Sequence, residues 1–220
     1  MQLAIKSLSL LALSTLAVST QSLAATAAPL RYRITIENVT AANHLSPFLA
    51  TVLQSGKTLF DIGKPASPGI AAVAETGDTA PLSAELDRRA GVVATTKAAG
   101  GPVAAAASAS AEIEVPADAV AQGATLNLVA MIGMSNDSFV ALRGLLLSSV
   151  TGSVGLNAVN FDAGSEENTG NIGDFGSGGH PVAGAEGHVS YDRGLNPRGN
   201  APETLGWGPV AALVTVEKLN

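Results

Sequence analysis

Residues 30–39, LRYRITIENV, alternate without a break. Leu30, Tyr32, Ile34 and Ile36 fall on one side, and Arg31, Arg33, Thr35 and Glu37 on the other. A two-residue period of this kind is a strand with one face in a core and one in water. Such a strand is stable only inside a larger sheet, so the rest of the chain has to supply its partners. The segments that follow do so. His44–Leu53 reads as a second strand, with Pro47 placing its start at an edge or bulge. Val92–Thr96, Ala111–Val115, 139–147, 156–161, Val182–Tyr191 and Pro209–Leu219 are further short strands, with a small-residue loop over Ala98–Ser110. Ala124–Met134 is apolar along almost its whole length, as in a central strand covered on both faces.

Residues 67–90 break the pattern. Ser67 and Pro68 open a helix as cap and first residue, Ile70–Glu75 forms its body, and Gly77 closes it. Pro81–Ala90 is a second short helix ended by Gly91. These two form a single insertion among strands, not a repeating strand–helix unit. The expected fold is therefore all-β: an antiparallel β-sandwich of eight to ten strands, with a short helical insertion near 67–90. The first and last strands are both strong and are expected to pair. Aromatic residues are only 4% of the 220, so alanine and valine must fill thin sheet-on-sheet layers.

The first 24 residues read as a signal peptide. Lys6 supplies the positive end, Leu8–Val18 the apolar stretch, and Ser22-Leu23-Ala24 the small-x-small cleavage pattern. Residues 25–220 are then a single exported domain. Losing Lys6 takes the formal charge from −6 to −7. That acidic balance, without a basic run anywhere, argues against a nucleic-acid partner. The apolar stretch is too short for a membrane span, so the mature chain is expected to have no transmembrane segment. There are no cysteines, which removes disulfides, thiol redox chemistry and thiolate metal sites. Export without cysteine suits a bacterial periplasmic, secreted or cell-surface protein.

The acidic residues of functional interest bracket an apolar segment. Asn136 and Asp137 lie at one end, and Asp162, Glu166, Glu167 and Asn168 at the other. The 25 residues from Asp137 to Asp162 allow one strand out and one back, returning both loops to the same rim. Gly164 permits a tight turn between Asp162 and Glu166. Ca²⁺ takes six to eight oxygen ligands, and these carboxylates are of the right kind. Asp and Asn also favour turns for purely local reasons, so spacing alone leaves both readings open.

Ser135-Asn136-Asp137-Ser138-Phe139-Val140 resembles the P-S/T-x-D-x-F-V-G segment of spondin domains, and Phe161-Asp162-Ala163-Gly164-Ser165-Glu166 resembles their W/Y-D-A-G-T-D/E segment. Phe60–Gly63 with Ala66–Gly69, Ala74–Asp78, His188–Gly194 and Trp207–Ala211 resemble other family runs, in collinear order over about 30–219. The resemblance, to the spondin N-terminal domains of F-spondin and mindin, implies a sandwich like those of calcium-binding, membrane-docking domains. It also implies a divalent cation, Ca²⁺, held by Asp137, Asp162 and Glu166, with Glu166 standing where animal members often have Asp. Glu167 is left as solvent-facing charge. Animal members carry cysteines and accompanying repeats that this chain lacks, so their matrix binding is not carried over.

The functional expectation is a non-enzymatic, calcium-binding adhesion or surface-interaction module whose partner is an extracellular or envelope protein or glycan. A hydrolase using the same carboxylates on a saccharide or ester is the alternative. A purely structural envelope protein is the third reading. His44, His180 and His188 are scattered, and no G-x-S-x-G is present. Trp207, the only tryptophan, is expected in the core.

Overall fold

The computed structural model describes residues 27–179 and 184–220. The expected leader, 1–24, lies outside the described residues, as do His180 and the first two residues of the strand expected over 182–191. The strands are β1 (Leu30–Asn38), β2 (Leu49–Leu53), β3 (Val92–Lys97), β4 (Ser108–Val115), β5 (Thr125–Met131), β6 (Ser138–Leu146), β7 (Ser153–Asn157), β8 (Val159–Asp162), β9 (Ser190–Tyr191) and β10 (Ala212–Lys218). They form two antiparallel sheets, β4-β1-β10-β7 and β3-β2-β5-β6-β8-β9. The fold is an all-β sandwich, and β1 and β10 pair as expected.

β1 realises its alternation. Tyr32, Ile34 and Ile36 are fully buried between the sheets, against Leu126, Leu128, Val214 and Val216. The outward residues meet opposite charges across the ladder: Arg33 lies between Glu112 and Glu217, and Arg31 faces Glu114 while reaching Glu112. β5 is covered on both faces, which explains its continuous apolar run. Its second cover is α1 (Pro68–Thr76) with α2 (Ala80–Leu86), which pack on the outer face of the six-stranded sheet. α1 starts as expected: Ser67 Oγ accepts from the Ile70 N–H at 3.3 Å, and Gly77 closes the helix at φ +70°. Phe60, Phe139 and Phe161 fill this second core edge-to-face and stacked.

Several boundaries differ from the sequence reading, each because another partner takes the backbone. β2 begins only at Leu49. Pro47 has no N–H to donate, and Ser46 Oγ, not a ladder carbonyl, accepts from the Met131 N–H at 2.9 Å. Between 184 and 191 only Ser190–Tyr191 is strand, because Val189 bonds the Gly63–Lys64 turn, giving to Lys64 O and accepting from the Gly63 N–H. The last strand begins at Ala212. Before it, the Asn160 side chain donates to Gly208 O and accepts from the Ala211 N–H, standing in for a strand. The segment read as one strand over 156–161 is split: β7 belongs to one sheet and β8 to the other, with buried Ala158 at the corner. α3 (Ala117–Ala121) is a single turn within a small-residue run that carried no helical period.

Candidate metal centre

The β5–β6 loop, residues 132–137, and the segment after β8, residues 163–166, meet at one end of the six-stranded sheet. β6 and β8 are in register there, with Ser138 opposite Asp162. This puts Asp137 and Asp162 on adjacent chain segments at the same rim. The 25-residue spacing therefore does return both loops to one place, through β6, β7 and β8.

Asp137 is 1% exposed. Its Oδ2 accepts from the backbone N–H of Ser165 at 2.7 Å and of Glu166 at 3.0 Å, and from Ser165 Oγ at 3.2 Å. Its carbonyl accepts from the Ala163 N–H at 3.1 Å. The loop is thus wound around this carboxylate. Asp162, 7% exposed, accepts from the Gly164 N–H at 2.7 Å through Oδ1. Gly164 sits at φ +65°, and a Cβ there would lie 2.2 Å from His188 O. Only glycine fits that turn, and the turn is what aims two N–H groups at Asp137.

Burial raises the Asp137 carboxyl above the ordinary carboxylate range, against the pull of its three hydrogen bonds. Asp162 is pushed up to about 7, first by burial and then by the charge of Asp137, with Glu186 and Asp192 adding to it. No salt bridge joins Asp137 or Asp162 to a described Lys, Arg or His. Next to Asp137 in the chain, Asn136 is 3% exposed, and its side-chain carbonyl oxygen has no hydrogen-bond partner among the described residues. A buried oxygen without a donor is costly and uncommon. Glu166 is also nearly buried, at 9%, and Glu167 is exposed as expected.

Of the three expected ligands, Asp137 and Asp162 are brought together, and Glu166 is held beside them through its backbone. Among the described residues no three carboxylate or imidazole side chains stand close enough to hold one ion as they are placed. One residue without a predicted role belongs to the same network. Asp192, just past β9, turns its carboxyl inward, accepting from Ser138 Oγ at 3.1 Å and from the Trp207 indole N–H. Burial raises its carboxyl too. Trp207 is buried as expected but in the loop before β10, where it ties the chain's last crossing to this rim. The run His188–Gly194 already resembled the family, yet nothing in its local pattern told Asp192 from a turn aspartate.

A family model described as Spondin_N matches residues 35–171. The chain belongs to the spondin N-terminal domain family. That span runs from within β1 through the Asp162–Glu166 loop, so both acidic segments of this spondin domain lie inside the matched region. Comparison with individually curated proteins gives no match. Family membership supports an extracellular interaction module and brings no catalytic activity with it. Among the described residues, no helix is long and apolar enough to cross a membrane.

The donor set suits a hard cation: carboxylate oxygens at a desolvated rim, and the buried amide oxygen of Asn136, next to Asp137, which lacks a donor among the described residues. A cleft of about 400 Å³ opens on Asp162, with Glu186, His188 and Arg193 also on its walls.

Proposed function

We propose that this spondin domain is an exported, non-enzymatic module that takes up Ca²⁺ at the rim formed by Asp137, Asp162 and Glu166. The loops ordered there are presented to an extracellular or envelope protein or glycan, in adhesion or surface interaction. The observation that supports this most is the Asp137–Asp162 pair: two desolvated carboxylates, the second raised further by the charge of the first, with no salt bridge from either to a described Lys, Arg or His. Removing charges from water is expensive unless something of opposite sign is supplied. A bound cation supplies it. Glu166 is the third ligand in this reading and turns its carboxylate toward the pair on binding. The Asn136 amide oxygen is suited to share in the shell, with water filling the remainder.

The test is thermal melting of the purified domain in chelator and in millimolar Ca²⁺, for wild type and Asp162→Ala. At a hundredfold excess over the dissociation constant, Ca²⁺ adds about 2.7 kcal/mol to a protein that binds it only when folded. Wild type is expected to melt higher in Ca²⁺ than in chelator, and the variant to melt alike in both. A wild-type curve indifferent to both additions overturns the reading.

A further inference from the structure

The two sheets have four edges, and they are not alike. On one side of the sandwich β3 and β4 approach each other, and β4 carries Glu112 and Glu114. On the other side the six-stranded sheet ends in β9, only two residues long. The fourth edge is β7, Ser153–Asn157, which among the described strands pairs with β10 alone.

The outward groups of β7 can be named. The Ala158 N–H donates to Ala212 O and Gly152 O accepts from the Lys218 N–H, so even-numbered residues face β10. Hydrogen-bonding direction alternates along a strand. Val154 and Leu156 therefore also face β10, leaving the N–H and C=O groups of Ser153, Gly155 and Asn157 pointing away from the sheet. Natural edges of this kind are usually guarded by a charge, a proline or a bulge. None is present: the register with β10 is unbroken, and no residue from Gly144 through Phe161 is charged. Val154 and Leu156 point into the inter-sheet core yet stay half-buried, because the layer stops there.

We propose that β7 is a self-association edge, and that two copies of this domain pair β7 antiparallel about a two-fold axis at Gly155. The strand is complementary to itself in that register. Gly155 exchanges both hydrogen bonds with its counterpart, and Ser153 does so with Asn157. On the inner face Val154 lies opposite Leu156, so each copy covers the other's half-buried core residues. The two four-stranded sheets become one of eight strands, a closed isologous dimer. A second copy is the occupant favoured by charge: the domain is acidic overall, yet no residue of β7 is charged, and the charged group sharing a cleft with Leu156 and Asn157 is the cation Arg143, so the two strands themselves meet without like-charge repulsion. The proposal is independent of the cation site, which lies at the sheet end and uses none of these residues.

The test uses the absence of cysteine, which makes a single introduced thiol unambiguous. A Cβ at Gly155 or at Gly101 meets no atom within 4 Å, so both positions accept side chains. Sedimentation equilibrium of the wild-type mature domain is expected to show concentration-dependent doubling of mass. Gly155→Lys sets two like charges opposite each other at the axis and is expected to be monomeric, with an unchanged melting temperature and Ca²⁺ response. Gly155→Cys with a short thiol crosslinker is expected to give covalent dimer, and Gly101→Cys none. A wild type monomeric at every concentration overturns the proposal. So does a dimer that persists in Gly155→Lys, or equal crosslinking from both cysteines.

Discussion

Two groups of carboxylates in this molecule show opposite electrostatics. On the outer face of the four-stranded sheet, Glu112, Glu114 and Glu217 alternate with Arg31 and Arg33 in exposed ion pairs. The side-chain hydrogen bonds from Arg33 and Arg31 hold the Glu112 carboxyl below its ordinary range. At the rim, Asp137, Asp162 and Asp192 are desolvated, carry no salt bridge to a described basic residue, and are all raised. The first group satisfies its charge within the chain. The second depends on N–H donors and, in the reading proposed here, on a cation from outside. A cluster with its own counter-charges is a solvated face; one desolvated without them is the place to test for a bound cation.

Three measurements would break or sharpen that contrast. The largest effect is expected for Gly164→Ala, which forces a Cβ onto His188 O in a left-handed turn. A loss on the order of 3 kcal/mol is expected in denaturant unfolding, with the Ca²⁺ response abolished, because the donors to Asp137 come from that turn. A well-folded variant that still responds to Ca²⁺ would show that the turn does not build the rim.

Next is Asp162→Asn, whose sign is the informative part. Asp162 titrates near 7 in the fold and near its ordinary 3.8 when unfolded. The folded state therefore binds the extra proton between those values, and metal-free stability falls as pH rises from about 4 through 7. In chelator at pH 8 the neutral amide is expected to stabilise the domain by about 1–2 kcal/mol and to flatten its pH dependence, while removing the Ca²⁺ response. Destabilisation at pH 8 would mean the carboxylate is paired by a group that escaped notice.

The smallest effect is expected for Arg33→Gln on the exposed ladder. Pairs like these contribute little and are screened by salt. Because the Glu112 carboxyl is depressed, its contribution is present above the ordinary glutamate range and lost as pH falls, the reverse of Asp162. Melting curves in low and high salt should differ slightly for wild type and not for the variant. A loss larger than that of Gly164→Ala would reverse the ranking of the two clusters.

What could be read in advance follows the range of the interactions concerned. The alternation of residues 30–39 committed β1 to a half-buried strand. Ser67, Pro68 and Gly77 placed α1, because caps act within one turn. The Asp137 and Asp162 segments were recognisable as motifs and are matched by the family over 35–171. The limits of β2, β9 and β10 were not legible, because Ser46, the Gly63–Lys64 turn and Asn160 take hydrogen bonds that the local pattern assigns to a ladder. The Asp192 carboxylate is held at the rim by Ser138 and Trp207, which lie 54 and 15 residues away in the chain. The sequence alone determined sheet faces, helix ends and the carboxylates worth testing, since side-chain period and capping are local. Only the tertiary structure decided which carboxylates lose their water and which edge is left open, since desolvation and strand pairing depend on segments far apart in the chain.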